Sequence, residues 1–81
     1  MIGSDKIKTR MKFNEKQLKF LADFLNAISD DLAKLLSEDS LNVHRLEHIY
    51  FSLAEAQYIF DVVSDSLQRD LRFLKFVNTV R

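Results

Sequence analysis

The stretch Leu18–Leu35, LKFLADFLNAISDDLAKL, decides the fold. Its apolar residues Leu18, Leu21, Leu25, Ile28, Leu32 and Leu35 recur at alternating spacings of three and four. That rhythm keeps them on one side of an α-helix and is the repeat of helices that pack knobs into holes.

Upstream, Asn14 with Gln17 three residues later reads as a capping box, and Phe13 and Leu18 are placed as a hydrophobic staple. These signals predict a first helix over about 14–37, preceded by a basic, partly mobile arm at 1–13. Downstream, Glu38-Asp39-Ser40-Leu41-Asn42 reads as a turn in which Ser40 or Asn42 caps a second helix. That helix, about 43–80, carries Leu46, Ile49, Leu53, Ala56, Phe60, Val63, Leu67, Leu71 and Leu74. No proline occurs and the single glycine is Gly3, so nothing between Asn42 and Arg81 forces a break. Only Ser64-Asp65-Ser66 offers a place for a new cap.

The expected fold is therefore all-α: a helical hairpin, residues 14–81, with a long second helix. By helix rise the first would span roughly 36 Å and the second roughly 58 Å, leaving Leu67, Leu71 and Leu74 beyond the shorter one. The second helix also carries apolar residues roughly opposite its main seam, at Phe51, Tyr58, Ile59, Val62, Phe73, Phe76 and Val80. A helix apolar on opposing sides must be covered on both. Two solutions follow: dimerisation of hairpins into an antiparallel four-helix bundle, or a three-helix bundle with a break near Ser64–Ser66. The dimer is the favoured one, with Phe51, Tyr58, Ile59, Val62, Leu67, Phe73, Phe76 and Val80 as the candidate interface.

Composition narrows the chemistry. Of the 81 residues, 47% are apolar and 30% charged, the balance of a folded domain. The absence of cysteine excludes disulfides and thiolate metal sites, and it fits a reducing cytoplasm, the expected location. The N-terminal charges precede no apolar core segment, so a signal peptide is not expected. Ile49–Val63, the most apolar stretch, is interrupted by Glu55, Gln57 and Asp61, so no membrane span is expected.

Net charge is zero but segregated: +3 over residues 1–12, −6 over 13–65 and +3 over 66–81. A hairpin places the two basic segments at one end, and a rod so polarised pairs best head to tail. His44-Arg45-Leu46-Glu47-His48 matches the inverted zinc-protease string. Two histidines four apart do share a helix face, but such a site needs a third ligand and a cleft, and the string is read as coincidental. No nucleophile–base pair and no phosphate-cradling loop is present, so neither an enzyme, a cofactor nor a metal is expected.

The functional expectation is a non-enzymatic interaction, regulatory or adaptor protein acting as a small homodimer that binds another protein. The alternative is a nucleic-acid-binding dimer using Lys6, Lys8, Arg10, Lys12, Arg69, Arg72 and Lys75 on phosphates. Attachment of residues 66–81 to a membrane surface is a third class, weakened because the apolar residues wrap too far round the helix.

Overall fold

A computed structural model of the chain describes the backbone of residues 2–80 and the side chains of residues 5–79. The chain forms two antiparallel helices, α1 (Ile2–Leu36) and α2 (Val43–Val80), joined by a tight connection. The all-α hairpin expected from the leucine rhythm is present. The end of α1 is closed by the Ser37 hydroxyl donating to the Lys34 carbonyl at 2.7 Å, and the Ser37 amide donates to Ala33 and Lys34 carbonyls at 3.2 Å. Asn42 starts α2: its Oδ1 accepts from the amides of His44 at 3.0 Å and Arg45 at 3.2 Å, the work of an N-cap. Arg45 also pairs with Glu38 across the connection. The reversal needs no left-handed residue among those described.

Two expectations are corrected. Residues 2–13 are not an arm; they are the first three turns of α1, which is therefore 35 residues long against 38 for α2. The heptad repeat explains this, because the rhythm continues upstream of Leu21 through Asn14 to Ile7, both buried. Asn14 is spent in that seam, where its Nδ2 donates to Ser66 Oγ at 3.0 Å, and so caps nothing. With helices of nearly equal length, Leu67, Leu71 and Leu74 no longer overhang a short partner. The alternative three-helix fold is also overturned: α2 runs unbroken through Ser64–Ser66, and Ser66 faces α1.

The seam between the helices is narrow. Among the described residues, seven apolar side chains are buried: Ile7, Leu21, Ile28, Leu35, Ile49, Ala56 and Val63. They fall at seven-residue spacing on each helix, with Asn14 and Asp70 filling the same rows as buried polar layers. In this hairpin the helices are turned so that one row of each is enclosed. The leucine rhythm is thus split. Leu21, Ile28 and Leu35 are inside, whereas Leu18, Leu25 and Leu32, the intervening members, are about 40% exposed.

Candidate interaction surfaces

Two rows flank the buried seam on each helix, and they generate two unlike broad faces. Four residues on from each buried position of α1 stand Met11, Leu18, Leu25 and Leu32; the matching row of α2 is Leu46, Leu53, Phe60, Leu67 and Leu74. Leu67 lines a shared depression with Met11 and Leu18, which places both rows on the same side of the hairpin. Every member of these rows is apolar and exposed, between 38% and 57%. Tyr50 and Leu71 extend this leucine face.

Three residues on from the buried positions the chemistry changes. Here α1 presents Arg10, Gln17, Phe24 and Asp31, and α2 presents Arg45, Ser52, Ile59, Ser66 and Phe73. Asp31 shares a depression with His44, Arg45, His48 and Ile49 near the connection. At the other end Arg10, Ser66, Arg69, Asp70 and Phe73 share another. Phe24 stacks on Phe20 with ring centroids 6.0 Å apart, adding an aromatic patch to this opposite face.

The open end is tied together by an ion pair. Arg10 donates to Asp70 Oδ1 from Nε at 3.0 Å and from its terminal nitrogen at 2.7 Å. Asp70 is buried while Arg10 reaches out to solvent, and the hydrogen bond to Asp70 raises the arginine pKa above its ordinary value. Arg10–Asp70 and Asn14–Ser66 follow the same antiparallel offset, so these polar layers set the register of the hairpin.

The residues expected at an interface do not gather on one surface. Leu67 is on the leucine face. Phe51 and Tyr58 project from the outer side of α2, more than 60% exposed, and border a shallow depression with Ala54, Glu55 and Ile59. Ile59, Val62, Phe73 and Phe76 lie toward the opposite face, and the side chain of Val80 is outside the described residues. What sequence reasoning missed is the leucine face itself, because its members were assigned to the seam. Lys6, Lys8, Arg10, Lys12, Arg69, Arg72 and Lys75 lie toward the open end but on different sides: Lys8 and Lys12 border the depression of the leucine face, while Lys6, Arg10 and Arg69 lie on the other side.

Among the described residues no three histidine, aspartate or glutamate side chains converge to hold a metal ion, and His44 and His48 belong to the mixed depression near the connection. No helix among the described residues is long and apolar enough to cross a membrane. No family model matches this chain, and neither curated proteins nor solved structures give a significant match.

Proposed function

We propose that this chain is a non-enzymatic, homodimeric interaction protein whose copies pack leucine face on leucine face, head to tail, as an antiparallel four-helix bundle. The observation that carries the reading is a surface excess. A compact monomer of 9.5 kDa exposes about 5,000 Å² by the usual scaling of surface with mass. This chain exposes 6879 Å². The surplus of roughly 1,800 Å² per copy is the size that obligate dimers bury. Shape supports the same reading: the radius of gyration is 18.5 Å, against about 12 Å for a compact domain of this length.

A second copy suits the leucine face because the face is self-complementary. Its α1 row is symmetric about the neighbourhood of Ala22 and its α2 row about Phe60, and the register set by Arg10–Asp70 brings these midpoints to nearly the same level. A two-fold axis there sets Leu18 against Leu25, Leu53 against Leu67 and Phe60 against its own copy, with small Ala22 allowing close approach. Charge favours the same orientation, since the basic open end then lies over Glu47 and Asp39 near the other connection. In the bundle the leucines complete the seam that one hairpin leaves half built, and the opposite faces remain outward for a further protein partner.

The test uses the absence of cysteine. Sedimentation should give twice the chain mass across a wide concentration range, and Ala22→Cys should form a disulfide-linked dimer on mild oxidation. A monomeric mass at high concentration rejects the dimer. Cross-linking only when Ala22→Cys is combined with Gln57→Cys rejects the head-to-tail order, since those positions meet when the connections lie together.

A further inference from the structure

On the opposite face, at the open end, exposed aromatic rings stand beside cations, and we infer that this patch binds single-stranded nucleic acid. The site is built around the depression lined by Arg10, Ser66, Arg69, Asp70 and Phe73. Phe73 is 48% exposed and Phe76, one turn further along α2, is 65% exposed. Lys6 lies beside Arg10 on α1. Arg72 stands on the outer side of α2, one turn before Phe76, and flanks that ring. Arg10 is engaged by Asp70, but among the described residues no acidic side chain pairs with Lys6, Arg69 or Arg72.

This juxtaposition exists only because residues 2–13 are helical and antiparallel to the end of α2. It sets unpaired positive charge beside flat apolar rings that protrude into solvent. The ligand with matching chemistry is a polyanion that also carries unstacked planar rings. Phosphates would lie along Lys6, Arg69 and Arg72 while bases stack on Phe73 and Phe76. A duplex hides its base faces and offers nothing to the rings. An anionic membrane would prefer a more extended apolar face, and here the neighbouring pair Phe73 and Phe76 is flanked by Arg69 and Arg72. The patch lies on the side away from the leucine face, so the inference does not rest on the homodimer reading.

The experiment is fluorescence anisotropy of the full chain with a labelled single strand of mixed sequence, about 12 nucleotides long. The same sequence as a duplex and vesicles of anionic lipid serve as competitors. Binding of the single strand should weaken with salt at a log–log slope of about −2, as three phosphate contacts require. Arg69→Gln and Lys6→Gln should each flatten that slope by about 0.7. Phe73→Ala should weaken binding by at least about five-fold, the lower end of a lost base stack. Phe73→Leu, which keeps apolar bulk but no ring, should behave like Phe73→Ala.

Phe73→Trp places the only tryptophan in the chain at the site, and its emission should be quenched by the single strand. Helicity should be unchanged in each variant, since both rings are exposed. The inference is overturned by equal affinity for duplex, by full affinity in Phe73→Leu, or by binding without tryptophan quenching. It is also overturned by binding to vesicles with none to the oligonucleotide.

Discussion

The two broad faces of this hairpin arise from the same helices, the same seven-residue spacing and the same distance from the buried seam, yet one is uniformly apolar and the other mixes rings with charge. The leucine face, from Met11 to Leu32 and from Leu46 to Leu74, has no charged member in its rows. The opposite face carries Arg10, Asp31 and Arg45 in the equivalent rows. The difference lies in tolerance for water. Arginine, aspartate and serine at the edge of a seam remain hydrated there, whereas a row of leucines left in water forgoes about 25 cal/mol for each Å² that could be buried. Among the described residues, seven buried apolar side chains stand against twenty-one exposed large ones, so the seam is thin. On the proposed dimer, this asymmetry between faces selects the side on which the two copies would meet.

The comparison breaks most completely if charge is moved onto the leucine face. Leu25→Glu combined with Leu53→Glu should weaken self-association at least 100-fold, or about 3 kcal/mol, read as a monomeric mass by light scattering. An unchanged dimer would show that the leucine face is not the contact. Next in size is a cut in the seam itself. Ile28→Ala removes a side chain 5% exposed and should cost about 2–4 kcal/mol in denaturant unfolding. Its cost should exceed that of a leucine-face truncation such as Leu25→Ala when both are measured in the Leu53→Glu background, where assembly is weakened.

A subtler change sharpens the role of the polar layers. Asn14→Leu combined with Ser66→Ala replaces both members of that hydrogen bond with apolar side chains and should leave stability within about 1 kcal/mol or raise it. The same variant should loosen the register, seen as mixed cross-linking when single cysteines are placed along α1 and α2. Arg10 gives a pH expectation. Its folded pKa is raised by Asp70, so its stabilising share is complete below the unfolded arginine value and is lost only as pH climbs through the folded one. Melting temperature should therefore show no Arg10-dependent loss between neutral pH and pH 10, tested by comparing the chain with Arg10→Gln. The smallest effect belongs to the outer side of α2. Phe51→Ser and Tyr58→Ser alter rings more than 60% exposed and away from both faces. Each should change unfolding free energy by no more than about 0.5 kcal/mol and leave assembly unaltered.

The particular residues show how far a sequence reading reaches. Leu21, Ile28 and Leu35 announce a helix seam by spacing alone, and Asn42 announces the start of α2 by its capping side chain, which the structure uses. Asn14 misled because asparagine serves equally as a cap and as a buried polar layer. The choice between those roles depends on whether a hydroxyl stands opposite, and Ser66 is 52 residues away. Leu18 and Leu25 misled for a related reason. Periodicity gives the angular width of an apolar stripe but not the rotation of the helix about its own axis, so it cannot say which half of a wide stripe meets the neighbour.

By itself the sequence determined the helical class, the place of the reversal and the gathering of positive charge toward both termini, since these follow from local spacing, capping chemistry and the near absence of glycine and proline. Only the tertiary structure decided that α1 begins at Ile2, that one row per helix is buried, and that Met11, Leu18 and Leu67 share a face while Arg10, Arg69 and Phe73 share the other. The physical reason is that helix formation is settled within a few turns of chain. The rotation and register of two helices are settled by contacts between residues far apart in sequence, here Arg10 with Asp70 and Asn14 with Ser66.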